Sequence, residues 1–217
     1  MTKKGRQFNS PIGDRLLKVL YVSTIFDPGF LNLVKEQRGI RSLLFVRLAL
    51  GDRKAPYKMM KDPHGFLIQN VRTSPAYQYD YKLLNIFNQV LREQRPELIH
   101  IQVSLGISLL PILNAASSLG IKKVVTLHDQ LLFCLQGTCQ DASQKCFFDS
   151  LLNCNCSVCR QAARSNRLSL RNFNRLRNTL CERVVRQSDK IICPDIQQRD
   201  QLARLFGEQD KFVTVSY

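Results

Sequence analysis

The 217-residue sequence has no run near the roughly 20 consecutive apolar residues that a membrane-spanning helix requires. Its first apolar stretch, residues 19–25, is too short and too polar for a secretory signal. These two absences predict a chain on the cytoplasmic side, with any membrane contact peripheral, at the inner face. The Gly-x-Gly-x-x-Gly fingerprint and the Gly-x-x-x-x-Gly-Lys-[Ser/Thr] loop are both missing, so neither NAD nor ATP is expected as a cofactor. Acidic residues are scarce: 17 Asp and Glu stand against 32 Lys and Arg, a formal net charge of +15. Such an excess biases partners toward phosphates, nucleic acid or acidic membranes without setting a fold. Cysteine is absent from the first 133 residues, and six of the eight fall between 134 and 159. A secreted, disulfide-stapled protein would spread them through a small chain, so a local thiol cluster is the better description. With 44% hydrophobic and 23% charged residues the composition is globular, which excludes global disorder.

The hydropathy pattern divides the chain into a basic leader, residues 1–17, and an α/β unit, residues 18–217. Residues 18–23 (KVLYVS) read as a buried strand, followed by the Asp27-Pro28-Gly29 punctuation and a short helix over 30–38. Strands are predicted at 42–48 and 66–71, with 52–61 charged and irregular and a turn at 62–65. Leu83, Leu84, Phe87, Val90 and Leu91 form the apolar stripe of a helix over 81–93. A strand at 98–102, a helix at 107–119 and a strand at 123–127 follow, the last ending in His128-Asp129. After an excursion over 130–159, the spacing predicts one long helix over 158–187, a strand at 189–193, a helix at 197–206 and a strand at 211–217. Alternating elements with wholly apolar strands imply a mostly parallel sheet covered on both faces.

Three groups of residues could carry chemistry. In an open α/β sheet, ligands bind outside the carboxyl ends of the strands. His128 stands at such an end, where it can donate to a sugar hydroxyl or carbonyl, and Asp129 can orient it. Ser104 and Gly106, and likewise Asp27 and Gly29, follow other strand ends and can offer backbone N–H groups to an oxygen-rich ligand. His100, inside a strand, reads as structural, and His64 in a turn has no assigned role. The second group is Cys134, Cys139, Cys146, Cys154, Cys156 and Cys159. Four thiolates suffice for a closed structural zinc site, and a local disulfide or free thiols are the alternatives. Cys181 and Cys193 read as small core residues. The third is the arginine series Arg160, Arg164, Arg167, Arg171 and Arg175, a solvated face or a surface for anionic lipid headgroups. The lack of a standard nucleic-acid-binding module argues against nucleic acid.

The order of the motifs resembles the N-terminal domain of the retaining GT-B glycosyltransferases of family 4. KVLYVS resembles its first strand, RPELIHIQ its "PDIIHxH" segment and VVTLHD the strand with the terminal histidine and aspartate. The Cys134–Cys159 tract resembles the cysteine-bearing insert of one subset, and SDKIICPD and KFVTVSY the last two strands before an interdomain linker. The resemblance implies a Rossmann-like open parallel sheet that is one half of a GT-B fold. It further implies transfer of a sugar, of hexosyltransferase type, from a nucleotide-sugar donor to a glycan, lipid or other hydroxyl acceptor. His128 matches the histidine that contacts the donor sugar. The nucleotide-holding C-terminal domain is expected to be absent, which leaves this chain alone inactive. The sequence departs from the family at Asp27-Pro28-Gly29, where a glycine pair is usual, and at Gln102 and Pro194-Asp195. The alternative class is a non-catalytic binding module whose basic surface meets anionic lipid or a partner subunit.

Overall fold

A computed structural model describes residues 17–23, 40–50, 56–62, 65–71, 79–103, 108–128, 154 and 156–215. The strands are β1 (Leu17–Ser23), β2 (Ile40–Leu50), β3 (Lys58–Asp62), β4 (Gly65–Val71), β5 (Leu98–Val103), β6 (Lys122–Leu127), β7 (Lys190–Cys193) and β8 (Phe212–Thr214). They form one sheet in the order β3-β4-β2-β1-β5-β6-β7-β8. All neighbours are parallel except the β3–β4 pair. This is the expected α/β, Rossmann-like open sheet.

Burial explains the strand composition. Val19, Leu20, Tyr21 and Val22 are all buried, so β1 is covered on both faces and has no polar alternation. β3 corrects the expectation of an irregular 52–61 segment. Its lysines hid it: Lys58 and Lys61 are exposed, while Tyr57 and Met59 pack against the core, the pattern of a protected edge strand.

The helices are α1 (Tyr81–Gln94), α2 (Leu109–Ser118), α3 (Ser157–Ser165), α4 (Leu170–Gln187) and α5 (Ile196–Phe206). Asp80 caps α1 by accepting from the Lys82 and Leu83 N–H groups at 3.0 and 3.1 Å. Leu83, Phe87, Val90 and Leu91 give α1 its core face. Each such side chain contributes about 1.5–3 kcal/mol by leaving water. α1 ends where Arg95 turns left-handed, at φ 46°, just before Pro96. Leu109, Leu110, Ile112, Leu113, Ala115 and Ala116 are all buried, which makes α2 the most enclosed helix described.

The long helix predicted over 158–187 is two helices. The apolar spacing continues across the break, so periodicity alone does not reveal it. Local groups make the break. Asn166 folds its side chain back to the Ala162 carbonyl at 2.7 Å, and Arg167 adopts φ 54°. Ser169 then caps α4 by accepting from the Asn172 N–H at 3.2 Å.

The amino ends of the central strands are lashed together. The Lys18 N–H donates to Glu97 Oε2 at 3.2 Å, and the Glu97 N–H donates back to the Lys18 carbonyl at 2.9 Å. Asp189 accepts from the Lys123 N–H at 2.8 Å and pairs with the Lys123 ammonium at 3.1 Å. The predicted helix over 30–38 and most of the 130–159 excursion lie outside the described residues.

Candidate functional site

The chain runs outward from β1 to β2 on one side, then crosses to β5 on the other, so the strand order reverses between β1 and β5. Open α/β sheets bind ligands outside the carboxyl ends at such a point. The pairings Ser23 with Gln102 and Val103 with Leu127 bring the carboxyl ends of β1, β5 and β6 to one rim. His128 directly follows β6 on this rim, and it is exposed. Asp27 and Gly29 follow β1, Ser104 and Gly106 follow β5, and Asp129 follows His128, but all five lie outside the described residues.

Beneath the rim, His100 is structural, as expected. Its Nε2 shares a hydrogen bond with Thr126 Oγ1 at 2.7 Å, and the Tyr21 ring lies 4.6 Å from its own, centroid to centroid. Burial, reinforced by the nearby His128, pushes His100 down to about 4, so the ring is neutral at pH 7. Cys181 and Cys193 are buried core residues, also as expected, and burial pushes both thiols up to about 12.

A second constellation lies at the start of α3. Cys154 Sγ lies 3.3 Å from Cys159 Sγ and 3.7 Å from Cys156 Sγ, and all three sulfurs fall within 4.8 Å of one another. Cys156 caps α3, its sulfur accepting from the Cys159 N–H at 3.4 Å. Two residues of α4 grip this turn. Asn174 Nδ2 donates to the Cys154 carbonyl at 2.8 Å, and Arg177 Nη1 donates to Cys159 Sγ at 3.1 Å. The hydrogen bond between Cys154 and Cys159 holds the Cys154 thiol well below the ordinary range and pushes Cys159 up. Cys134, Cys139 and Cys146 lie outside the described residues.

The arginine series is exposed, but not on one helix. Arg160 and Arg164 lie on α3, Arg167 lies in the break, and Arg171 and Arg175 lie on α4. Sequence reasoning missed Arg177, which is only 1% exposed. The signal for it is its place on the stripe Phe173, Arg177, Cys181, Val184, which the residue type obscures.

Residues 33–217 match the model of a family described as Glycosyltransferase Family 4. No curated protein matches the chain. Among solved structures, one of trehalose-6-phosphate synthase, from work on glycosyl transfer with retention, is 13% identical, with a TM-score of 0.47 over 92% of this chain and 48% of that one. A trehalose-6-phosphate structure from E. coli bound with UDP-2-fluoro glucose is 13% identical, with a TM-score of 0.46 and the same 92% and 48% coverage. The UDP-GlcNAc 2-epimerase of Methanocaldococcus jannaschii is 13% identical, with a TM-score of 0.44 over 91% and 44%. The chain spans about half the length of the solved structures it matches.

Proposed function

Because the chain belongs to glycosyltransferase family 4, we propose that residues 18–217 are the acceptor-side half of a retaining glycosyltransferase. The reaction moves a sugar, of the hexose type, from a nucleotide-sugar donor to a hydroxyl of a glycan, lipid or similar acceptor. One observation carries the assignment of a site: an exposed histidine stands at the rim formed by the carboxyl ends of β1, β5 and β6. Transfer requires the acceptor hydroxyl, the anomeric carbon and the leaving phosphate to be held together. The rim supplies one wall of that cleft. His128 donates a hydrogen bond to the donor sugar, Asp129 orients it, and the segments carrying Asp27, Gly29, Ser104 and Gly106 approach the ligand with backbone N–H groups. A second Rossmann-like domain holds the nucleotide and stabilises the leaving diphosphate, so residues 1–217 alone turn over negligibly.

The test is paired. A panel of nucleotide-sugars is assayed for binding and turnover with residues 1–217, then with the same chain fused to a nucleotide-binding GT-B half. Turnover is expected only in the fusion, and His128→Ala is expected to lower it at least tenfold, about 1.4 kcal/mol of transition-state stabilisation. Full turnover after the substitution removes His128 from the site. Robust turnover by 1–217 alone overturns the two-wall argument.

The exposed arginines favour a second role for the same chain, peripheral attachment to the anionic inner face of a membrane. If the fusion binds vesicles but transfers nothing, the non-catalytic binding module becomes the better description.

A further inference from the structure

A buried arginine lies beside the three sulfurs. Burying a guanidinium is expensive unless an anion faces it, and arginine does not escape by losing its proton. Arg177 is 1% exposed, and its guanidinium donates to Cys159 Sγ at 3.1 Å. An arginine placed there fits sulfur that carries negative charge.

The spacing of the sulfurs fits a metal. A tetrahedral zinc ion with bonds of about 2.3 Å separates its sulfur ligands by about 3.8 Å. The observed separations of 3.3 and 3.7 Å lie just below that value, and all three sulfurs fall within 4.8 Å of one another. The supporting shell is also present. The Cys159 N–H donates to Cys156 Sγ, Asn174 holds the Cys154 carbonyl, and Arg177 reaches Cys159. A disulfide between Cys154 and Cys159 would be neutral and would leave the guanidinium facing uncharged sulfur.

We propose that Cys154, Cys156 and Cys159 form a metal centre for a thiophilic divalent cation, zinc above all, with Arg177 as its charge-balancing partner. Each thiol releases its proton to solvent as it binds. Three thiolates carry one negative charge more than the ion compensates, and the guanidinium cancels it, so the buried centre is neutral. The fourth position of the tetrahedron is left to water or a further donor. The centre pins the start of α3 to the middle of α4.

The test uses the whole 217-residue chain, purified reduced and without chelator. Zinc content is measured, and the metal-free protein is titrated with cobalt(II), whose thiolate complexes show an intense near-ultraviolet charge-transfer band. Near-stoichiometric zinc is expected, with a cobalt band that zinc bleaches and that C154S/C156S/C159S lacks. R177M is expected to keep the band but to bind zinc at least tenfold more weakly in chelator competition, with R177K recovering part of the loss. Less than roughly 0.1 zinc per chain, with no cobalt band in reduced protein of unchanged circular dichroism, overturns the centre. So does undiminished zinc in the triple serine variant, or a Cys154–Cys159 disulfide whose reduction yields no metal binding. Wild-type affinity in R177M removes Arg177 from it. The cobalt titration of the unsubstituted chain decides even if the triple variant fails to fold.

Discussion

His100 illustrates how one side chain makes stability depend on pH. Folded, its pKa lies at about 4, while an unfolded chain returns it to the ordinary histidine value of 6.5. As pH falls below about 6.5 the unfolded state takes the proton first, so this contribution is fully present above that pH and is lost progressively toward pH 4. The loss is on the order of 3 kcal/mol at the acid end. Urea unfolding at pH 7 and pH 4.5 should show a steep decline in the native chain and a shallower one in His100→Gln. Identical slopes would show that another group governs the decline. The role of His100 was legible from strand alternation, because a period of two puts it beside the core on the half-buried face it shares with Gln102. The position of His128 was legible too, since a histidine after an apolar run marks the strand's carboxyl end. Arg177 was not legible: its stripe position pointed inward, but arginine is almost never buried without a partner, and that partner comes from the segment around Cys154 and Cys159.

Elements with a single dominant pattern were read nearly to the residue. α1 was expected over 81–93 from its apolar stripe and is observed as Tyr81–Gln94, and the structure adds Asp80 as its cap. The α3–α4 break failed to show because its causes are short-range hydrogen bonds while the apolar period runs through. Ser169 is the residue that restarts the helix, its hydroxyl accepting from the Asn172 N–H at 3.2 Å. Ser169→Ala should therefore cost about 1 kcal/mol and lower Tm by roughly 2–4 °C, measured by calorimetry. An unchanged Tm would mean that packing of α4, rather than its cap, sets the break. Met59 inside and lysines outside made β3 resemble a polar loop by composition, although its pairing with β4 runs regularly from Lys58 with Gln69 to Asp62 with Gly65.

For the whole molecule, the +15 charge and the exposed arginines of α3 and α4 set the expected behaviour at a surface. No helix among the described residues is long and apolar enough to cross a membrane. Binding to vesicles containing phosphatidylserine should exceed binding to neutral ones and weaken as salt is raised, because the Debye length shrinks to about 8 Å at 0.15 M. Neutralising Arg164, Arg167, Arg171 and Arg175 together should reduce it at least tenfold by co-sedimentation, and equal binding to both vesicle types would remove the membrane role. The two edges of the sheet differ in a way that bears on how copies of the chain meet in solution. β3 presents Lys58 and Lys61, whose repulsion discourages a neighbouring strand. β8 is a three-residue edge, Phe212–Thr214, followed by the exposed Val215. Concentration-dependent self-association should accordingly begin at β8, and light scattering should show Val215→Lys delaying its onset while Lys58→Thr leaves that onset where it was.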